Sequence, residues 1–213
     1  MLHFHIITLF PESIDAYLWA SIIGRAREKK LIKISYYDPK KFAVGKHKRV
    51  DQRPYGGGPG MILEPTAVLK AADKALRGRR NVARLFFSTD GEVLSEAMAK
   101  KLSKKRDVLL ISGRYEGIDA RVQKILKAKK VSVGPYVLTG GELPAATLVD
   151  AVSRFVPGVL GKAKSLEGLR VSSPEVYTRP EVLVWKDKKY RVPKVLLSGH
   201  QSRINEWKVR RRK

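Results

Sequence analysis

The chain has 213 residues, 43% of them hydrophobic, which is enough for one good-sized folded domain with a small appendage. Its 44 Lys and Arg against 20 Asp and Glu leave a formal charge of +24, so a polyanion, nucleic acid first, is the expected partner, with a generally basic composition as the plain alternative. The absence of cysteine excludes disulfides, thiolate metal sites and a cysteine nucleophile and suits a reducing cytoplasm, and no stretch is apolar for long enough to cross a bilayer.

Strand and helix patterns alternate along the chain. His3 to Leu9 reads as a buried strand; it has no basic leader and no small-residue cleavage site, so it does not read as a signal peptide. Pro11 opens a helix whose apolar face, Ile14, Tyr17, Leu18 and Ile22, carries it to about Glu28. Leu31 to Tyr36 alternates as a strand. Pro39 to Met61 is long, basic and glycine-rich, the kind of loop that is usually functional. Pro65 opens the next helix, Val82 to Ser88 is a strand, and Ser95 caps a helix to about Leu102. Val108 to Ser112 is a further strand, Asp119 caps a helix through Leu126, and Val131 and Val133 mark a short strand. Pro144 then opens an apolar helix to Phe155. This alternation predicts an α/β fold, a parallel sheet with helices on both faces. From Gly158 to Ser173 the composition turns to Gly, Ser and Lys. The expected division is a domain over 1–160, a linker over 161–176, and a short, mainly helical C-terminal segment over 177–213.

Three glycine-bearing loops stand out. Asp51-Gln-Arg-Pro-Tyr-Gly-Gly-Gly-Pro-Gly-Met61 lets a backbone approach a ligand or another backbone closely, unless it is simply a flexible turn. It lacks the Gly-Lys-Ser/Thr ending of a P-loop. Ser112-Gly-Arg-Tyr-Glu-Gly-Ile-Asp119 follows a strand and precedes a helix, where open α/β sheets bind ligands, although Arg114 and Glu116 could merely pair with each other. Ser132-Val-Gly-Pro-Tyr-Val-Leu-Thr-Gly-Gly-Glu-Leu-Pro144 repeats that placement, with backbone groups suited to a purine edge and apolar walls from Tyr136 and Leu138. Lys40, Lys41, Lys46, Lys48, Arg49 and Arg53 cluster around the first loop and read as phosphate contacts. The four histidines, His3, His5, His47 and His200, show no metal-ligand spacing, and His3 and His5 read as structural.

Seven blocks in order resemble the tRNA (guanine-N1)-methyltransferase family, the TrmD type. They are Thr8 to Glu12, Asp51 to Met61, Ser112 to Asp119, Gly134 to Pro144, Asp150 to Leu160, Tyr177 to Pro180 and Leu196 to His200. The resemblance implies a SPOUT fold with a deep trefoil knot, a homodimer with its site at the subunit interface, and a cytoplasmic enzyme acting on tRNA. It implies S-adenosylmethionine as cofactor, held by Ser88, Gly113, Tyr115, Glu116, the loop Val133, Gly134, Pro135, Tyr136, Val137 and Leu138, and Gly140, Gly141 and Pro144. The implied target is a guanosine at tRNA position 37, with Mg²⁺ assisting and no metal site among the protein's own residues.

Guanine N1 carries a proton, so its methylation needs a base and a donor or cation near O6. The family pattern matches Arg154 as the assisting arginine. Its Asp base has no counterpart, because no Asp lies between Asp150 and Asp187. Glu167, the one carboxylate between Arg154 and Glu175, is either that base or a solvated linker glutamate. Pro135 and Thr89 also depart from the pattern, standing where the family has Asp and Pro. A tail without the longer helical extension of many members leaves Lys208 to Lys213 to add phosphate contacts. The alternatives are a knotted tRNA-binding protein without catalysis and a basic structural RNA-binding protein.

Overall fold

The computed structural model describes residues 1–44, 49–160 and 175–210. The chain divides after Leu160 into two compact units.

In the first unit, β1 (Leu2–Ile7), β2 (Ile32–Tyr37), β5 (Ala83–Val93), β6 (Asp107–Ile111) and β7 (Lys129–Ser132) form one sheet in the order β2-β1-β6-β5-β7. All four pairings are parallel. Parallel strands need covered faces, and two apolar clusters supply the cover. One face packs on α1 (Glu12–Trp19), α2 (Ser21–Glu28), α4 (Glu96–Ser103) and α6 (Glu142–Ser153), around Phe4, Ile6, Ile14, Leu18, Leu110 and Leu148. The other packs on α3 (Pro65–Leu76) and α5 (Ala120–Leu126), around Ile7, Leu109, Ile111, Ala71 and Val122. The α/β fold with helices on both faces is therefore as the sequence pattern implied. Three starts follow their sequence signals. Ser95 Oγ accepts from the Met98 amide at 3.2 Å, the Asp119 side chain accepts from the Arg121 amide, and Pro65 stands in the first turn of α3.

Two elements differ from the periodicity. The helix expected from Pro11 to Glu28 is broken in two, because Ala20 is extended (ψ 154°) and Ser21 has a positive φ of 48°. Gly24 permits the tight junction: a Cβ there would lie 2.0 Å from the Trp19 carbonyl oxygen. Strand β5 runs five residues past Ser88, with a register shift between Phe87 and Glu92 against β7. Gly91 sits at that irregularity, where a Cβ would meet the Val131 amide at 2.5 Å. The long basic loop contains a short 3-10 turn (Pro39–Phe42) and a small hairpin of β3 (Asp51–Gln52) with β4 (Ile62–Leu63).

In the second unit, β8 (Val182–Trp185) pairs antiparallel with β9 (Lys188–Arg191), followed by α7 (Lys194–Leu197) and α8 (Gln201–Arg210). Lys186 and Asp187 turn the hairpin with positive φ at both positions, the geometry that matches strand twist. The hairpin accompanies two helices in a segment expected to be mainly helical. Val182 to Trp185 is an unbroken apolar run, and Leu183 and Trp185 stand opposite Tyr190 and Lys188 across the ladder.

Candidate active site

The carboxyl ends of β5, β6 and β7 bring three loops together around a cavity of about 270 Å³. Its lining holds Ser88, Gly113, Tyr115, Glu116, Val133, Gly134, Tyr136, Val137, Leu138, Gly140, Gly141 and Pro144. Of the residues expected to hold the cofactor, Pro135 alone is outside that lining. Phe86, Phe87, Thr89, Arg114, Gly117, Val131, Ser132 and Thr139 complete the wall; none of them was expected as a cofactor contact. Strand-end positions and β-branched neighbours carry no separate signal that would have marked them.

The close approach of two loops depends on glycine. After β7, at one edge of the sheet, the chain returns to β6 at its centre. Gly141 N donates to Gly113 O at 2.8 Å, Ser112 Oγ donates to Gly141 O at 3.0 Å, and Arg114 bridges to Gly140. A Cβ on Gly141 would lie 2.6 Å from Ser112 Cα, so no larger residue fits without moving backbone. Gly141 is also the cap residue of α6, so the helix begins at the cavity.

A buried ion pair braces the same junction. Glu142 is 2% exposed, accepts from Thr8 Oγ1 at 2.7 Å and lies 2.9 Å from Arg114 Nε. Arg114 in turn stacks over the Phe10 ring at 4.7 Å. Arg114 therefore pairs with Glu142, not with Glu116, the partner considered in the sequence reading. Glu116 instead faces the glycine-rich loop: its amide donates to Met61 O at 3.0 Å, and its side chain fills the space beside Gly60. Leu63 N to Gly117 O and Asp119 N to Leu63 O continue this seam. The first glycine loop thus packs on the second by backbone hydrogen bonds, and the turn reading does not account for it.

A second, wider cavity of about 870 Å³ has the seam residues Met61, Leu63 and Asp119 in its lining. It is lined by Arg49, Arg53, Tyr55, Asp119 and Arg121 among others, and Tyr55 is fully exposed. Arg121 is held by Asp119 in a two-pronged pair, Nη2–Oδ2 2.6 Å and Nε–Oδ1 2.9 Å. The hydrogen bond from Arg121 holds the Asp119 carboxyl below its ordinary pKa, so it stays ionised at neutral pH. Arg49 and Arg53 stand together here, whereas Lys46, Lys48 and the proposed base Glu167 lie outside the described residues. Arg154 caps the far end of α6. Twelve residues of helix separate it from Gly141, roughly 18 Å along the axis, so within one chain it is remote from the first cavity.

This strand-end cavity, with a glycine-dependent crossing behind it and a basic cavity beside it, is accompanied by a match along almost the entire chain. The model of the family described as tRNA (Guanine-1)-methyltransferase TrmD matches residues 2–213. The chain belongs to that family. A tRNA (guanine-N(1)-)-methyltransferase of Clostridioides difficile is 38% identical to it, over 97% of this chain and 90% of the relative. Relatives with the same name from Pasteurella multocida and Haemophilus influenzae are 44% and 42% identical, each over 96% of this chain and 84% of the relative. Membership in the TrmD family accounts for the order of all seven sequence blocks at once.

Proposed function

We propose that the chain transfers a methyl group from S-adenosylmethionine to N1 of the guanosine at position 37 of tRNA. The observation that carries this is family membership over residues 2–213, joined to a cavity lined by the family's motif residues. The cavity suits the cofactor in chemistry. Its walls are apolar at Phe87, Val131 and Leu138, it is edged by the backbone of Gly113 and Gly140, and Glu116 brings one carboxylate to the rim. When bound, the cofactor supplies a methyl already activated by its sulfonium. The protein's residues then orient the purine and manage its proton. Arg154 favours the negative charge that develops at O6, and Glu167 takes the N1 proton. Mg²⁺ would meet Glu116, the carboxylate of this cavity, together with oxygens of the substrate.

Three finer parts of the reading go with this. The return of the chain from β7 to Ser112–Arg114 supports a trefoil-knotted SPOUT topology, since the crossing strand is pinned between residues far apart in sequence. The distance of Arg154 from its own cavity supports a homodimer in which one copy completes the other's site. Arg49, Arg53 and the basic residues of 177–213 would hold tRNA phosphates, with 161–176 as the linker, in the cytoplasm where tRNA is found. Membership in a family whose relatives are named as enzymes argues against a binding protein without catalysis. Methyl transfer to tRNA transcripts that differ only at position 37 tests the proposal: an adenosine there should abolish it.

A further inference from the structure

The amino end of the sheet, away from the loops described above, holds a polar cluster that methyl transfer does not use. His3 and His5 are two residues apart on β1 and so share a face. Asp107 opens β6 in register with His3. All three side chains are buried, and their ligand atoms lie within 4.8 Å of one another. Both imidazoles are held in the same way. His3 Nε2 is 2.8 Å from Ser35 Oγ, and its Nδ1 lies 3.9 Å from Asp107 Oδ1. His5 Nδ1 is 3.0 Å from the Tyr37 hydroxyl, and its Nε2 is 2.9 Å from the same Asp107 oxygen. A polar partner at the outer nitrogen of each ring, leaving the inner nitrogens turned toward one carboxylate, is the way metal-binding histidines are held in tautomer and aim.

We propose that His3, His5 and Asp107 form a site for a divalent transition metal, zinc in the first instance. With bonds of about 2.0–2.2 Å, tetrahedral zinc holds its ligand atoms roughly 3.3 Å apart. The two nitrogen–oxygen separations, 2.9 and 3.9 Å, straddle that value. The rings lie with centroids 3.8 Å apart and planes at 38°, so convergence on one ion needs each to turn about its broad terminal torsion. Burial, followed by the charges of His5, Lys33 and Arg79, lowers the His3 pKa to about 4, and burial lowers that of His5 as well. Neutral imidazoles are the form that binds metal. Arg79 Nε sits 3.2 Å from Asp107 Oδ1, and Lys33 faces both histidines. These cations disfavour ions that depend on carboxylate charge, such as Mg²⁺ and Ca²⁺. Imidazole then carries the affinity, which selects zinc, nickel or copper. Metal on His5 Nε2 shifts that ring's one proton to Nδ1, where it is donated to the Tyr37 hydroxyl, and with three protein ligands the fourth position goes to water.

The test uses the full untagged chain, stripped with chelator, and zinc alone as the probe. Equilibrium dialysis at pH 7.5 should leave stoichiometric zinc on the chain. Cobalt(II) should give the visible absorption of a four- or five-coordinate nitrogen–oxygen site. His3→Gln and His5→Gln should each abolish both signals, and His200→Gln should keep them. A wild-type chain that takes up no zinc overturns the site, and so does undiminished uptake in folded His3→Gln. Anomalous diffraction from zinc-soaked crystals of the unmodified chain needs no variant. A peak between the three side chains supports the proposal, and zinc found only elsewhere overturns it.

Discussion

Replacing Gly141 by alanine tests whether the crossing of two loops is what shapes the cavity. The added Cβ would stand 2.6 Å from Ser112 Cα and 2.9 Å from Gly113 N, and ordinary contact begins at 3.4 Å. Backbone cannot rotate out of the way as a side chain can, so the loops must separate by about 0.8 Å. Overpacking of this kind costs roughly 1–3 kcal/mol. The two hydrogen bonds across the junction, Gly141 N to Gly113 O and Ser112 Oγ to Gly141 O, lengthen at the same time. Each contributes about 1 kcal/mol. A loss of about 2–4 kcal/mol is therefore expected, a large share of the roughly 5–15 kcal/mol of a typical domain. Gly113→Ala is the comparison, because its Cβ would press only slightly on the flexible Ile118 side chain at 3.3 Å and meet the Gly117 Cα at an ordinary 3.9 Å. Its cost should stay near about 1 kcal/mol. Urea unfolding followed by far-ultraviolet circular dichroism measures both. Titration of S-adenosylmethionine by calorimetry should show affinity falling by roughly tenfold or more in Gly141→Ala, since misplacement approaching an ångström is costly in a positioned site. Equal stability of the two variants, with unchanged cofactor affinity in Gly141→Ala, would refute the reasoning.

The buried histidines make stability depend on pH. His3 is neutral in the fold with a pKa of about 4, against 6.5 in the unfolded chain, so its contribution is complete above pH 6.5 and is lost as pH falls toward 4. The loss is about 3 kcal/mol, read as unfolding free energy between pH 7.5 and pH 4, and His3→Gln should flatten the slope. Arg154→Ala should lower kcat by about 10²–10³ and leave cofactor affinity unchanged, which single-turnover kinetics and calorimetry separate. Glu167→Gln should lower kcat in the same manner; undiminished turnover would remove Glu167 as the base. Arg49→Ala and Arg53→Ala should each weaken tRNA binding and reduce the slope of log K against log salt by roughly one, in filter-binding titrations.

Much of the architecture was legible because it is written locally. Strand runs such as Phe4 to Ile7, prolines at helix starts and the caps Ser95 and Asp119 each act over a few residues. The cavity was legible for a related reason: glycine-bearing loops that follow strands gather at the same end of a parallel sheet. What was hidden depends on distance in sequence. Glu142 meets Thr8 across 134 positions, and its pairing with Arg114 rests on the return of the chain from β7. His5 and Asp107 are 102 positions apart, so ligand spacing along the chain could not expose their cluster. The break at Ala20 was hidden because the apolar period continues through it, and only the close packing of Gly24 on Trp19 shows why the helix turns. The C-terminal hairpin was masked by its shortness: Val182 to Trp185 is an apolar run of only four residues, and its partner strand carries Lys188, Lys189 and Arg191 around Tyr190.

The most direct measurement is transfer of labelled methyl from S-adenosylmethionine to tRNA transcripts carrying guanosine or adenosine at position 37. Label is expected only on the guanosine transcript, released on digestion as N1-methylguanosine. Absence of label from both transcripts under conditions where the cofactor binds, or label recovered in a different nucleoside, would contradict it.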